Sequence, residues 1–142
     1  MDFKKKVFQL APDERQNLIN RLSALLAEEE KVLFAYLHGS FPEGGPFHDL
    51  DIALYLDDLP LNERLSFELR LEERLERKVK YPVDLKVLNN APPSFAYLVI
   101  KKGIKLFVRN DSARVAFEVG TLKRYFDFLP FRKLYLREVL DA

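Results

Sequence analysis

A short apolar run at residues 32–38 places the strongest constraint on the fold. Its sequence, VLFAYLH, is apolar up to the terminal histidine and is followed by Gly39. A run of this length suits a strand better than a core helix, and its lack of alternation indicates burial on both faces. A strand buried on both faces needs other elements packed on each side of it. The run therefore predicts a buried strand in a layered domain.

Hydrophobic spacing along the rest of the chain predicts helices that alternate with strands. Leucines recur at helical intervals, and short apolar runs lie between them. The predicted helices cover residues 12–30 and 61–79, a short stretch that ends at Lys102, and a last helix that is capped by Asp111 or Ser112, runs toward Phe128 and is interrupted by Pro130. The further predicted strands cover residues 49–57, 82–88 and 104–108. The segment 39–48 contains three glycines and two prolines and is predicted to be a loop.

This order of elements predicts an α/β (α+β) fold. We expect a mixed sheet of about four to five strands, with a hairpin-like join of the first two, covered by helices. The pattern leaves open which strands are neighbours. Because 142 residues fall within the size of one domain, about 100–200 residues, residues 1–142 are predicted to form a single domain, with 111–142 as a C-terminal helical segment.

Composition excludes several kinds of site. The chain has no cysteine and two histidines, which excludes disulfides, thiolate nucleophiles and sulfur-ligated zinc and argues against a histidine-rich metal site. Any metal would therefore be bound by oxygen ligands. No apolar run approaches the roughly 20 residues that span a bilayer, and the N-terminus lacks a secretory signal. We expect a cytoplasmic protein without a membrane partner.

Charge is balanced overall but not along the chain. The net charge is +1, which gives no global field toward nucleic acid, whereas residues 91–142 carry 10 basic and 5 acidic side chains. That excess can face an anion or be an ordinary solvated helix surface. The aromatic residues between these charges can be read as an RNA platform, or as core plus a surface for a protein partner. We favour the second reading, so direct nucleic-acid binding is not expected. These aromatic residues are Phe117, Tyr125, Phe126, Phe128, Phe131 and Tyr135.

Three aspartates on predicted strands are the strongest chemical signal. Asp49 and Asp51 are two residues apart, so a strand places both carboxylates on one face, roughly 6.5 to 7 Å apart at the Cα atoms. Asp84 lies on another short apolar strand, with its apolar neighbours facing the other way. Aspartate is depleted in strands, and adjacent carboxylates repel one another unless a cation lies between them. Oxygen ligands of this kind suit Mg²⁺.

Gly39 and Ser40 close the buried strand and open the glycine-containing loop. Backbone N–H groups and a small hydroxyl in such a position can approach phosphate oxygens closely. Alone, this pair is most often an ordinary turn. Together with the three aspartates it predicts a phosphate cradle beside a metal site.

These residues resemble a known family. The stretch GSFPEGGPFHDLDIALYL, followed downstream by PVDLKVL, resembles the signature of the DNA polymerase beta nucleotidyltransferase superfamily: Gly-Ser, a loop, Asp-x-Asp and a distal Asp. The short chain is similar to the minimal nucleotidyltransferases. The segment ARVAFEVGTLKRYFDFLPF resembles the tail of MntA-type antitoxins, which are encoded beside HEPN toxins.

The resemblance implies a nucleotidyltransferase fold and an activity. It implies a transferase that takes AMP from Mg-ATP and attaches it to a hydroxyl. In the antitoxin branch the acceptor is a tyrosine of a HEPN RNase toxin, which is thereby neutralised. By resemblance, Gly39 and Ser40 would hold the β- and γ-phosphates, and Asp49 and Asp51 would bind Mg²⁺. Asp84 would complete the metal site and help to activate the acceptor.

The loop departs from the family pattern. Residues 41–48 supply eight residues between Gly-Ser and the first aspartate, which is shorter than usual, and they include no Lys or Arg. The triphosphate must then find its cation elsewhere; the candidates are Lys86, Lys101, Lys102 and Arg109. His48, in the polar loop, is expected to be solvated rather than to contact phosphate. His38 is expected to be a hydrogen-bonded structural residue.

Two other functions stay open at this point. One is a binding-only antitoxin, a degenerate nucleotidyltransferase fold whose basic, aromatic C-terminal region occludes the toxin. The other is a nucleotidyltransferase that acts on a small hydroxylated acceptor, against which the short chain argues because it leaves little room for a substrate domain.

Overall fold

Nine elements follow one another in the computed structural model, which describes residues 6–141. Along the end of the last helix it describes the side chains up to Asp127 and those of Arg137 and Glu138. The elements are α1 (Pro12–Ala27), β1 (Val32–His38), a 3₁₀ turn (Phe41–Glu43), β2 (Leu50–Leu56), α2 (Leu61–Val79), β3 (Val83–Val87), α3 (Pro93–Lys102), β4 (Ile104–Val108) and α4 (Asp111–Asp141).

The four strands form one mixed sheet in the order β3-β2-β1-β4. β1 pairs antiparallel with β2 and with β4, whereas β2 and β3 run parallel. The predicted mixed sheet and the hairpin-like join of the first two strands are confirmed. The central position of β1 explains why its sequence is almost continuously apolar: Ala35 and Leu37 face one side of the sheet, and Phe34 and Tyr36 face the other.

One face of the sheet, which we call the closed face, is covered by α1 and α2. Leu50, Ile52, Leu54 and Leu56 alternate along β2 toward these helices and are at most 2% exposed. The helices contribute leucines and a valine at helical spacing, which interlock with the strand residues in one hydrophobic cluster. The helix residues are Leu18, Leu22, Leu26, Leu71, Leu75 and Val79.

The opposite face, which we call the open face, is covered only in part. α3 and α4 pack on each other and contact β1. Phe117 of α4 stacks on Phe34, with ring centroids 5.6 Å apart, and Tyr55 stacks on the same ring at 5.0 Å. Toward β3 this face carries polar side chains, among them the exposed Lys86.

α2 also holds the outer edge of β3. The backbone N–H of Val83 donates to Glu76 Oε1 at 2.9 Å, and that of Leu85 donates to Glu72 Oε2 at 3.1 Å. Unpaired N–H groups at a sheet edge invite pairing with another chain, and here carboxylates satisfy them. The strand that carries Asp84 is therefore fixed on both sides.

The last helix differs from its prediction at both ends. Its cap is Asn110, whose Oδ1 accepts a hydrogen bond from the N–H of Ala113 at 3.0 Å, rather than Asp111 or Ser112. The prediction that Pro130 interrupts it is wrong, because helix α4 continues to Asp141. A proline removes one helical hydrogen bond and disturbs the turn before it, which bends a helix without having to end it. Helix α1 is shorter than predicted and ends at Ala27.

None of the helices that the structure describes is both long and apolar enough to cross a membrane.

Candidate active site

Three predicted site residues meet at one end of the open face. Asp51 of β2 and Asp84 of β3 are direct partners in the parallel register, on strands about 4.8 Å apart. Their sequence neighbours point to the closed face, so both carboxylates lie on the open face. Asp49 lies just before β2 rather than inside it, and its carboxylate is close enough to that of Asp51 to raise the pKa of Asp51.

The electrostatics of Asp51 reflect this crowding. Burial, together with the negative charges of Asp49 and Asp84 and hydrogen bonds to both, raises the pKa of Asp51 from 3.8 to about 6. Two carboxylates near a third disfavour its ionised form, and a cation between them would favour it. The only nearby basic partner on β3 is Lys86, whose Nζ lies 3.7 Å from Asp84 Oδ1.

The carboxylates do not form a complete metal cage. Within residues 6–141, no group of three or more His, Asp or Glu side chains is arranged so that it could hold a metal ion by itself. Mg²⁺ in phosphate-transfer sites is typically bound by one or two carboxylates, with water and substrate phosphates as the other ligands. The all-oxygen donor set fits that mode, in which the substrate completes the site.

Position 39 requires glycine for two reasons. Its φ of 75° lies in the left-handed region, and a Cβ at this position would collide with the carboxylate of Asp51. The end of β1 therefore touches the acidic cluster through its backbone. Ser40 follows, half-buried, and leads into the 3₁₀ turn.

The loop after Ser40 is anchored by aromatic residues. Phe41 is 1% exposed and packs edge-on against the buried Phe47, with centroids 4.9 Å apart. Arg15 of α1 lies over the Phe41 ring, 3.9 Å from its centroid, and donates hydrogen bonds to the carbonyl oxygens of Phe41 and Gly45. Sequence reasoning missed Arg15, because it lies in a helix far from the loop in sequence. The loop of residues 41–48 contains no Lys or Arg, and Arg15 of α1 holds its backbone in place.

A cavity of about 790 Å³ opens beside Gly39. Its size is in the range of small-molecule sites, about 300–1,000 Å³. It lies between the end of β1 and α3, and its walls include His38, Gly39, Phe95, Leu98, Val99 and Lys102.

The two histidines occupy different environments. His48 is exposed, and its Nδ1 lies 2.9 Å from the carbonyl oxygen of Lys6, away from the acidic cluster. His38 faces the cavity, and its Nε2 is buried without a hydrogen-bond partner. Burial lowers the pKa of His38, and the charges of Asp84 and Asp49 oppose that shift. The prediction that His38 is a hydrogen-bonded structural residue does not hold for this nitrogen.

The four candidate cations for a triphosphate are separated by the fold. Lys102 lines the cavity, and Lys86 lies beside Asp84. Lys101 Nζ lies 5.8 Å from the ring centroid of Tyr97, outside the cavity wall. Arg109 hydrogen-bonds the carbonyl oxygens of Val32, Ala27 and Glu29 at the opposite end of β1. From there it cannot reach Gly39 and Ser40.

An apolar patch of α3 and α4 adjoins the cavity. Tyr97 stacks on Tyr125 with centroids 4.0 Å apart, and Phe126 packs edge-on against both rings. Phe126 is 50% exposed, and Leu98, which also lines the cavity, is 52% exposed. We call Tyr97, Leu98, Tyr125 and Phe126 the α3–α4 patch. Phe117 belongs to the sheet packing, whereas Phe128, Phe131 and Tyr135 lie outside the side chains that the structure describes.

Comparison with known proteins places this geometry in context. The family model described as polymerase beta, nucleotidyltransferase matches residues 20–112, which include all four strands, Gly39, Ser40 and the three aspartates. A search of curated proteins found no significant match.

Solved structures share the fold over most of the chain. A toxin–antitoxin crystal structure with AMP-PNP matches at 25% identity and a TM-score of 0.68, covering 86% of this chain and 98% of the other. The tri-AMPylated Shewanella oneidensis HEPN toxin in complex with MNT antitoxin matches at 24% identity and a TM-score of 0.67, covering 89% and 98%. The toxin–antitoxin MntA–HepT matches at 24% identity and a TM-score of 0.65, covering 88% and 98%.

Proposed function

The chain belongs to the polymerase beta nucleotidyltransferase family, and on that premise we propose that it is a Mg²⁺-dependent adenylyltransferase antitoxin. It transfers AMP from ATP to a tyrosine hydroxyl of a HEPN RNase toxin and thereby neutralises the RNase. The observation that carries the proposal is the meeting of Asp51, Asp84 and Asp49 beside Gly39. Similar folds occur in a structure with AMP-PNP and in a complex with an AMPylated HEPN toxin, which supports the donor and the acceptor class.

The acidic cluster would hold the metal. Asp49, Asp51 and Asp84 would be its protein ligands, and the raised pKa of Asp51 is the expected signature of carboxylates that a cation brings into their charged form. Bound Mg²⁺ would supply positive charge to the attacking and leaving oxygens of an in-line displacement.

The other residues position the reactants. Gly39 and Ser40 would hold the β- and γ-phosphates, and Lys102 is the candidate cation within reach of that end of the cavity. In the reaction the tyrosine oxygen forms a bond to the α-phosphorus. The bond between the α-phosphorus and the oxygen that bridges it to the β-phosphate breaks, and pyrophosphate leaves. Asp84 would accept the phenolic proton. Positioning and charge are the main demands that phosphoryl chemistry makes on a protein.

The α3–α4 patch supports a protein acceptor over a small one. Exposed aromatic and aliphatic side chains beside a catalytic groove are typical of a surface that a partner covers. The patch begins at Leu98 on the cavity wall, so a protein docked there would reach the groove. A small acceptor would leave it exposed.

The direct test combines the chain with a purified HEPN RNase toxin from the same source, ATP and Mg²⁺. We expect an AMP mass gain on the toxin, on a tyrosine-containing peptide, together with loss of RNase activity. EDTA and the Asp49→Asn variant should each abolish both results. An unchanged toxin mass, or full activity in Asp49→Asn, would contradict the proposal.

A binding-only antitoxin is the second candidate, which the exposed α3–α4 patch favours, because such a surface can dock a partner without any chemistry. It predicts that the Asp49→Asn, Asp51→Asn double variant still neutralises the toxin at stoichiometric concentration. The transferase predicts that catalytic amounts of the wild-type chain suffice and that the double variant fails at those amounts.

A further inference from the structure

Arg15 connects the loop of residues 41–48 to helix α1. Its Nη1 donates a hydrogen bond to the carbonyl oxygen of Gly45 at 3.2 Å, and its Nη2 donates to that of Phe41. The guanidinium also lies over the Phe41 ring, 3.9 Å from the centroid, and is 5.7 Å from the ring centroid of Phe47. A planar guanidinium presents several donors in a fixed fork, so it can bridge two acceptors at once. One side chain therefore holds the loop at two points of its backbone and contacts two of its rings.

The loop has little regular structure of its own. Its 3₁₀ turn, Phe41–Glu43, ends at Gly44, whose φ is 90°. A segment of this kind loses much conformational entropy when it is held in one shape, and glycine loses the most. At the other end of the loop, Phe8 and Phe47 exchange two backbone hydrogen bonds, of 2.8 and 3.0 Å. The shape of the loop thus depends on contacts from outside it, and Arg15 makes those near its start.

The start of the loop is continuous with the residues that are expected to hold phosphate. Ser40 comes directly before Phe41, and its carbonyl oxygen accepts the N–H of Glu43 at 3.2 Å. The turn that Arg15 holds therefore includes Ser40 itself. A binding site whose backbone already has the bound conformation avoids the free-energy cost of ordering it when the ligand arrives. The hydrogen bonds of Arg15 can therefore affect ligand affinity without a contact to the ligand.

We propose that Arg15 is a positioning residue for the phosphates of the donor nucleotide. By bonding two carbonyl oxygens of the loop, it keeps Gly39 and Ser40 in the conformation that receives phosphate before a nucleotide binds. It acts through the backbone, since both of its Nη groups donate to loop carbonyls. The inference rests on the proposed nucleotidyl transfer and adds to it the residue that prepares the phosphate site.

The test measures the binding of ATP and of inorganic tripolyphosphate, each with Mg²⁺, by calorimetric titration. The variants are Arg15→Gln, Arg15→Lys and the control Arg21→Gln. Arg21 is a matched control because it is also an arginine of α1 that donates to a backbone carbonyl oxygen. Its acceptor, Lys78 at 2.6 Å, belongs to α2 rather than to the loop.

Arg15→Gln should weaken the binding of both ligands about tenfold, as expected if about a tenth of the molecules keep the binding-competent loop. Because tripolyphosphate has no nucleoside, an equal loss for both ligands assigns the effect to the phosphate site. Arg15→Lys should recover only part of the affinity, because an ammonium group lacks the fork that bridges the two carbonyl oxygens. Arg21→Gln should match the wild type.

Two further measurements separate positioning from general support of the fold. Hydrogen exchange at the backbone N–H groups of residues 40–45 should be faster in Arg15→Gln, whereas exchange in the four strands should be unchanged. In the transfer reaction the KM for ATP should rise about tenfold, and kcat should stay within about twofold of the wild type, because bound ATP restores the loop. A substitution that only loosened the fold would lower the fraction of active molecules, and so lower kcat, without raising KM.

Several results would overturn the inference. Unchanged affinity for ATP and tripolyphosphate in Arg15→Gln would do so while leaving the proposed transfer intact. A loss for ATP alone would assign the effect to the nucleoside, and full recovery in Arg15→Lys would mean that charge matters rather than the two hydrogen bonds. An equal loss in Arg21→Gln would reduce the role of Arg15 to the stability of α1. A wild type that binds neither ligand would remove the proposed function as well.

Discussion

The closed and open faces of the sheet are built from the same strands but differ in what they bury. Along β2, Leu50, Ile52 and Leu54 face α1 and α2 and are at most 1% exposed. Asp51 and Tyr55 alternate with them on the face that α3 and α4 cover only in part. Because successive side chains of a strand point to opposite faces, one short segment can supply stability on one side and chemistry on the other. Substitutions at neighbouring positions should therefore separate the two properties.

Asp51→Asn should produce the largest effect of the open-face substitutions. We expect AMP transfer to fall by about a thousandfold or more, because the metal that Asp51 would hold contributes several kcal/mol to the transition state. The free energy of unfolding without metal should stay equal or rise at neutral pH, since a carboxylate crowded by Asp49 and Asp84 is removed. Transfer is measured by intact-mass spectrometry and stability by urea unfolding. A destabilised, active variant would reverse our assignment of this face.

Ile52→Ala, one residue further, should show the opposite result. Ile52 is fully buried in the cluster under α1 and α2. Truncation should lower the free energy of unfolding by about 2 to 5 kcal/mol, because it removes buried hydrocarbon and leaves a cavity. The transfer rate per folded molecule should stay within about threefold of the wild type, since the side chain points away from the site. Urea unfolding and single-turnover assays under folding conditions would test both parts.

The pH dependence of stability should identify the crowded carboxylate. The pKa of Asp51 is raised from 3.8 to about 6 in the folded chain. The folded state therefore binds this proton more tightly than the unfolded state does. The contribution of Asp51 to the free energy of unfolding is complete below about pH 3.8 and is lost as the pH rises through about 6. In EDTA we expect the free energy of unfolding to decrease by about 1 to 2 kcal/mol over this range. This is less than the full pKa shift would give, because solvent screens a half-buried group.

The same experiment has an internal control. In EDTA, the free energy of unfolding of Asp51→Asn should not show this decrease between pH 4 and pH 7 when it is measured with urea. Saturating Mg²⁺ should flatten the wild-type curve, since a cation favours the charged carboxylates. A wild-type curve that already coincides with that of Asp51→Asn would mean that the acids do not crowd one another.

The sequence predicted the bounds of the helices and strands better than it predicted which strands are neighbours in the sheet. The bounds of β1, α2 and β4 agree with the predictions because Gly39, Pro60 and Gly103 mark them and their periodicity is strong. The parallel pairing of β2 with β3, which places Asp84 beside Asp51, depends on tertiary packing that no local pattern encodes. The capping role of Asn110 and the continuation of α4 past Pro130 were missed for a similar reason, since packing overrides local preference.

Residues that act through packing were also invisible to motif reasoning. Arg15 holds the loop after Ser40 from α1, and the buried Nε2 of His38 lacks a hydrogen-bond partner. Neither has a spacing that would reveal it. The aspartates and Gly39-Ser40 were predictable because charged residues on a short apolar strand and glycine at a strand end are unusual in themselves.

Tyr36→Phe should give the smallest effect and shows how the open face is held. Tyr36 is 2% exposed, and its hydroxyl donates to Glu118 Oε1 of α4 at 2.5 Å. Burial and the nearby Glu118 carboxylate raise the pKa of Tyr36, so the hydroxyl stays a donor at every working pH. Removing it should cost about 1 kcal/mol in urea unfolding, because Glu118 keeps its bond from Arg114 at 3.0 Å.

AMP transfer by Tyr36→Phe should stay at the wild-type rate, because the hydroxyl bonds α4 rather than any residue of the acidic cluster. The smaller cost than that of Ile52→Ala reflects the contrast between the faces. Apolar side chains that interlock along a whole strand stabilise the closed face. On the open face, α4 is joined to the sheet partly by single polar pairs, and the sheet is uncovered toward β3. A loss in Tyr36→Phe as large as that in Ile52→Ala would mean that both faces carry the stability of the fold equally.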